Sequence, residues 1–376
     1  MNKIRVLVVD DAVLVRRMLS DVLNSDADIE VVGVAANGKI ALEKIPRLEP
    51  DLITLDIEMP VMDGLETLVA IRKAYPRLPV IMFSTLSERG AKISLKALEL
   101  GANDYVTKPT NTRSISDSQE SLRTEFIPRI KALAGRPVRS SPLRSASARR
   151  APVRSGKPGA GQSTLAKPAS GTPVLARPQR RERVDILAIG TSTGGPNALA
   201  ELIPAIPADF PVPVVIVQHM PPTFTRLLAE RLDGKAALQV HEAAAGDKLE
   251  PGHVWLAPGG YHMVLERTGS GVEIRLNQDP AENSCRPAVD VLFRSVARLY
   301  GIHTLAAILT GMGQDGLLGC KDIVQAGGQV IAQDQASSVI WGMPGAVAEA
   351  ELAEKLLPLN RIAGEFSQRL RLGRSR

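Results

Sequence analysis

Apolar positions along this chain follow two alternating rhythms. Short branched runs over residues 3–9, 29–35, 52–55, 80–83 and 104–106 read as strands buried on both faces. Between them, apolar residues recur every three or four positions, which predicts helices over 14–23, 38–45, 67–74, 87–100 and 118–134. The first of these places Leu14, Met18, Leu19, Val22 and Leu23 on one face, and the last does the same with Leu122, Phe126, Ile130 and Leu133. Five such β–α units predict a doubly wound parallel sheet. The rhythm stops near residue 135 and resumes near 184. From there, the apolar runs 184–189, 214–219 and 306–316 predict further parallel strands. Residues 286–300 predict a helix with Pro287 near its start and Val289, Leu292, Phe293, Val296 and Leu299 apolar. The chain therefore divides into an α/β unit at 1–134, a connecting segment at 135–183 and a second α/β unit at 184–376.

The connecting segment consists largely of Arg, Ser, Pro, Ala and Gly without apolar periodicity, a composition that predicts a flexible linker. From residue 136 to 183 it carries twelve Lys or Arg against one acid, Glu182, so the net charge of +6 belongs to this stretch and the rest is net negative. A basic arm on nucleic acid is the alternative. No aromatic residue is present to stack on bases and no recognition-helix module follows, so no nucleic-acid partner is expected. With 44% hydrophobic and 23% charged residues the chain has a globular composition. No apolar run has the length of a membrane span, and residues 1–11 lack the form of a signal peptide, so a cytoplasmic location is expected. Cys285 and Cys320 have no metal-ligand spacing and are expected to be ordinary reduced thiols.

Chemistry gathers at strand ends. The first predicted strand ends at Asp10-Asp11 and the third at Asp56; the fourth ends at Ser84-Thr85 and the fifth at Lys108-Pro109. In a doubly wound sheet these positions converge at the carboxyl edge. Three clustered carboxylates call for a cation, and oxygen ligands suit Mg²⁺. With a hydroxyl and an ammonium beside them, they describe a site that accepts a phosphoryl group on Asp56; a plain divalent-metal site is the alternative. In the second unit Gly190, Ser192 and Gly194 form G-x-S-x-G after a buried strand, a turn that exposes a nucleophile. His219 ends the next run and Asp315 lies in the glycine-rich loop after the third, giving a base and its orienting acid. The order Ser, His, Asp differs from that of α/β-hydrolases. Taken alone, Gly190, Gly194 and Gly195 could instead wrap a phosphate. His241, His253, His262 and His303 show no ligand spacing and are expected to be structural or exposed. Arg226 could steer an acidic partner or simply be salt-bridged, and Trp255 and Trp341 are expected in the core.

From residue 3 to about 133 the chain resembles two-component receiver domains, through Val8–Asp11, Leu55–Gly64, Phe83–Leu86 and Val106–Pro109. That resemblance implies a flavodoxin-like fold with Asp56 as the phosphorylation site. It further implies Mg²⁺ on Asp10, Asp11, Asp56 and the Glu58 carbonyl, a cis bond at Lys108–Pro109, and Ser84, Tyr105 and Lys108 as the switch residues. From 185 to about 357 the chain resembles the catalytic domain of chemotaxis protein-glutamate methylesterases. The matching runs are Ile189–Gly195, Gln218–Pro222, Phe224–Arg226, Pro251–Gly259, Arg286–Phe293 and Leu309–Gly316. One departure lies at Glu282–Cys285, where an Asn-Arg-His-like run is expected before Arg-Pro. The resemblance implies a Rossmann-like fold and a Ser192–His219–Asp315 hydrolase that needs no cofactor for its ester chemistry. The Thr193 and Met312 amides would receive the oxyanion. It would cleave glutamate methyl esters on methyl-accepting chemoreceptors and deamidate their glutamines in chemotaxis adaptation. A chemosensory histidine kinase would be its partner, and it would act as a monomer recruited to membrane receptor arrays. A non-catalytic adaptor is the remaining alternative. The unphosphorylated receiver is expected to cover the edge that bears Ser192, His219 and Asp315.

Overall fold

The computed structural model of the chain describes residues 3–109, 115–135 and 182–371. The expected linker at 135–183 lies outside these apart from its ends.

In the N-terminal unit, β1 (Ile4–Val9), β2 (Ile29–Ala35), β3 (Leu52–Asp56), β4 (Val80–Ser84) and β5 (Asp104–Thr107) pair in the order β2-β1-β3-β4-β5. Every pairing is parallel. The helices are α1 (Val13–Asn24), α2 (Gly38–Leu48), α3 (Gly64–Ala74), α4 (Glu88–Glu99) and α5 (Ile115–Leu133). Side chains start three of them: Asn37 accepts from the Ile40 amide, Asp63 forms a reciprocal box with Glu66, and Ser87 accepts from the Gly90 amide. Such caps contribute roughly 1 kcal/mol each. Helix α2 runs past the predicted end at 45 and through Pro46. The hydrogen bond lost there is near the helix end, and Leu48 packs over Gly33, where a β-carbon would stand 2.5 Å from its Cδ1.

The C-terminal unit begins with β6 (Ile186–Thr191), α6 (Gly195–Leu202), β7 (Val214–Gln218), α7 (Phe224–Asp233), β8 (Gln239–Glu242) and β9 (His253–Leu256). An antiparallel hairpin, β10 (His262–Thr268) and β11 (Gly271–Asn277), follows. Then come α8 (Val289–Tyr300), β12 (Thr304–Ile308), α9 (Leu317–Gln325), β13 (Gln329–Gln333), α10 (Met343–Glu349), β14 (Lys355–Leu357) and α11 (Leu359–Arg371). Seven strands form one parallel sheet in the order β14-β13-β12-β6-β7-β9-β8. The order reverses around β6, so the carboxyl edge there is the natural place for a site. The predicted βα alternation is interrupted by the pair β8–β9 and by the hairpin, which is half-exposed and lacks a strong apolar signal.

Helix α8 starts two residues beyond Pro287 rather than around it. Its first amides, Val289 and Asp290, donate to the Asp315 carboxylate at 2.6 and 3.0 Å, so the helix begins where that anion caps it. The expected cis bond at Lys108–Pro109 is not found. Among the described residues the cis peptide bond lies at Arg286–Pro287, and Lys108 reaches its carboxylates from the trans form that an X-Pro bond ordinarily prefers. No helix among the described residues is long and apolar enough to cross a membrane.

Candidate functional site

Ser192 leaves the end of β6 on a turn that the sequence makes unusually tight. A β-carbon at Gly195 would fall 1.9 Å from the Gln218 Oε1, and one at Gly311 would fall 2.9 Å from the Ser192 Cβ. Glycine at both places lets the β12 loop and the Gln218 side chain close around the serine. Gln218 is buried and donates to the Ser192 carbonyl at 2.9 Å, a bracing role the sequence did not indicate. Among the described residues no acceptor engages the amides of Thr193 and Met312, which leaves both as donors at this edge.

His219 and Asp315 meet directly, with Nε2 2.7 Å from the Asp315 Oδ2. Serine triads commonly use the opposite ring nitrogen for the acid. Here the nitrogen left over is Nδ1, and Cys285 Sγ lies 3.5 Å from it. No hydrogen bond joins Ser192 to His219 in this arrangement, although both line one cavity. Burial opposes a charge on His219, but Asp315 and Cys285 outweigh it and raise the imidazole pKa. Burial likewise opposes ionisation of Asp315. The hydrogen bonds from His219 and from the Val289 and Asp290 amides prevail, holding the carboxyl below its ordinary value. Asn283 also donates to Asp315, at 2.9 Å. The partners of Asn283 and Cys285 were not readable because Asp315 and His219 lie far from them along the chain. The available signal was the departure at Glu282–Cys285 from the expected Asn-Arg-His-like run, which marked the turn without assigning either residue a partner.

In the N-terminal unit, carboxylate oxygens of Asp10, Asp11 and Asp56 lie within 4.8 Å of one another. Lys108 Nζ stands 2.8 Å from the Asp56 Oδ2 and 3.0 Å from the Asp10 Oδ2. That Asp10 oxygen is buried and receives no well-aligned hydrogen bond, Lys108 being close but out of line. A hard cation would satisfy it, so the donor set fits Mg²⁺. Glu58, Ser84 and Thr85 line the same cavity of about 250 Å³. Burial and the neighbouring Asp10 raise the Asp56 pKa, against the pull of Lys108, to about 6. The Ser84 hydroxyl is buried and accepts from the Ser94 hydroxyl at 2.7 Å.

The two units meet over the Ser192 edge. Tyr105 is buried and stacks on Phe224 of α7, with ring centroids 4.7 Å apart and planes 3° from parallel. Thr193 Oγ1 donates to the Asp104 Oδ2 at 3.1 Å. Asp104, Tyr105 and Arg129 close one side of a cavity of only about 50 Å³ whose other side holds Ser192, Thr193 and His219. Nearby, Glu99 at the end of α4 takes Arg231 at 2.9 Å and Lys235 at 2.6 Å, and Asn197 donates to the Leu98 carbonyl. Arg226 is salt-bridged, to Glu230 and more distantly to Glu88.

His262 is buried, receiving the Ala288 amide, and His303 is partly exposed with a contact to the Arg183 carbonyl. His241 and His253, unrelated by sequence spacing, come together at 3.0 Å because β8 and β9 are parallel neighbours. Trp255 beside them is buried, whereas Trp341 is only partly so.

Residues 187–366 match the CheB methylesterase family, and residues 6–119 match the response regulator receiver domain. A protein-glutamate methylesterase/protein-glutamine glutaminase of Trichodesmium erythraeum (strain IMS101) is 51% identical over 370 residues, spanning 98% of this chain and all of that protein. A protein of the same name from Nocardioides sp. (strain ATCC BAA-499 / JS614) is 50% identical, over 98% of this chain and 96% of its own. Among solved structures, the CheB methylesterase catalytic domain of Thermotoga maritima is 42% identical, covering 50% of this chain and 99% of that one with a TM-score of 0.49.

Proposed function

The chain belongs to the protein-glutamate methylesterase/protein-glutamine glutaminase family, and from that premise we propose that it is a receiver-gated serine hydrolase acting on methyl-accepting chemoreceptors. The observation that carries the reading is the His219–Asp315 hydrogen bond in the same cavity edge as Ser192, covered by Asp104 and Tyr105 of the receiver.

With its Nε2–H donating to the ionised Asp315 carboxylate, His219 takes the Ser192 proton at Nδ1. Ser192 Oγ attacks the side-chain carbonyl of a methylated receptor glutamate. The oxyanion is received by the Thr193 and Met312 amides. The imidazolium returns its proton to the leaving oxygen, methanol departs, and water activated by the same base clears the acyl-serine. Attack on a glutamine side chain releases ammonia instead. The Nδ1 nitrogen must first exchange Cys285 for Ser192, which fits a resting state with the cleft covered.

At the receiver, Asp56 accepts a phosphoryl group from a chemosensory histidine kinase. Asp10, Asp11, Asp56 and the Glu58 carbonyl would hold Mg²⁺, which would supply positive charge against the phosphoryl oxygens. Lys108 balances the remainder. Ser84 turns toward the new phosphoryl oxygen, its contact with Ser94 is given up, and the face carrying Tyr105 loosens from Phe224. Residues 1–134 form the receiver, 184–376 the hydrolase, and 135–183 the tether, which holds the two at an effective concentration on the order of mM. The protein works as a cytoplasmic monomer recruited to receptor arrays, with output in chemotaxis adaptation.

Methanol release from methylated receptor membranes, with and without a small phosphodonor, tests the reading. Ser192→Ala should remove activity by several orders of magnitude while the protein stays folded. Near-normal release from that variant would rule out the serine mechanism.

A further inference from the structure

Asp315 has a second carboxylate beside it to which the reaction assigns nothing. Asp290 is 1% exposed on the first turn of α8, and its Oδ1 accepts the Gly319 amide at 2.7 Å. Two buried carboxylates in such proximity repel each other, and either one could relieve the repulsion by taking a proton. Burial, with Asp315 nearby, does raise the Asp290 pKa. Asn283 stands between them. Its Nδ2 donates to the Asp315 Oδ1 at 2.9 Å and to the Asp290 Oδ2 at 3.0 Å, using both amide hydrogens. Two carboxylates fix the amide orientation, since its carbonyl oxygen would be repelled there.

The turn that delivers Asn283 is secured independently. Asn283 and Ser284 take φ of +51° and +62°, a region asparagine tolerates better than most residues. Glu282 and Cys285 exchange backbone hydrogen bonds of 3.2 and 2.8 Å, and Glu282 pairs with Arg294 of α8. One turn thus meets both ring faces of the site: Asn283 reaches the acid on Nε2, and Cys285 faces Nδ1.

We propose that Asn283 is a positioning residue, clamping Asp290 and Asp315 so that Asp315 stays ionised with Oδ2 on the His219 Nε2, which leaves Nδ1 as the basic nitrogen. The inference rests on the reading that Ser192, His219 and Asp315 carry the hydrolysis.

The test uses the full-length protein with phosphodonor and methylated receptor membranes. Asn283→Ala should lower kcat by roughly 10- to 100-fold, the scale of a displaced catalytic group, with KM little changed. Asn283→Asp keeps the shape but faces Asp290 and Asp315 with a third carboxyl, with His219, Cys285 and the Glu282–Arg294 pair around it. It can donate only when protonated. Its kcat relative to the unaltered protein should therefore rise as pH falls from 8 to 6, while the Asn283→Ala ratio stays flat. Asn283→Ala with normal kcat, or an Asn283→Asp ratio that does not move with pH, overturns the clamp. Should Asn283→Ala fail to fold, the Asn283→Asp profile decides alone. Ser192→Ala in the same assay separates the two levels. If it remains active, the serine mechanism fails; if it is dead while both Asn283 variants are normal, only the clamp fails.

Discussion

Asp56 shows how a single residue can make a fold depend on its ion. Its carboxyl is raised from 3.8 to about 6 by burial and by Asp10, so ionising it costs the folded state more than the unfolded one. The penalty is absent below the ordinary carboxylate value, grows between there and about pH 6, and is complete above it. It then corresponds to roughly 3 kcal/mol. Mg²⁺ should therefore raise the receiver's melting temperature more at pH 8 than at pH 5. Equal gains at the two pH values, by calorimetry of the full-length protein, would show that Asp56 ionisation is not what the ion relieves. Residues such as Asp56, Ser192, His219 and Asp315 were legible because each sits at the end of a predicted strand, where parallel sheets gather their chemistry. The roles of Asn283, Cys285 and Asp290 were not. Their contacts with the site depend on how a turn and a helix start fold back across dozens of residues, and no local period records that.

At the scale of elements, α4 of the receiver packs against α6 and α7 of the hydrolase, and charge is concentrated at its end. Glu99 lies between Arg231 and Lys235, and its hydrogen bond to Lys235 leads in holding its carboxyl down to about 2. Partly exposed pairs contribute roughly 0.2–1 kcal/mol each and weaken with salt. Glu99→Ala should raise methanol release by the unphosphorylated chain about two- to fivefold, and added salt should raise it in the parent protein but much less in the variant. Unchanged basal activity would show that this ion cluster does not help to hold the cleft closed. The strands and helices of the receiver were legible almost to their ends, with the last turn of α2 hidden by Pro46. The hairpin β10–β11 was not, since its half-exposed strands alternate weakly. Nor was the partnership of His241 and His253, which comes from register rather than spacing.

For the whole molecule, the division into two α/β units was readable from where the apolar rhythm stops, and the receiver was expected over the Ser192 edge, but the residues that make the contact were not readable. Tyr105 was expected as a switch residue, but nothing in the sequence pairs it with Phe224, on which it stacks across the two units. A fragment beginning at Arg183 retains the complete seven-stranded sheet with Ser192, His219 and Asp315. It should hydrolyse receptor methyl esters faster than the unphosphorylated full-length chain and should not respond to phosphodonor. A fragment that is slower than, or equal to, the intact protein would mean that the receiver does not inhibit by covering the cleft.

The hydrogen bond from Thr193 to Asp104 makes the neighbour of the nucleophile a neighbour of the receiver as well. On the proposed function, a receptor side chain and the receiver would compete for the same ground, and competition of this kind is thermodynamically symmetric. Whatever factor phosphorylation adds to the affinity for receptor, bound receptor must add to the stability of the phosphorylated state. The enzyme's substrate would thus act as an effector of its own signal input, shifting the equilibrium toward the activated form where unprocessed methyl esters are abundant and releasing it as they are consumed.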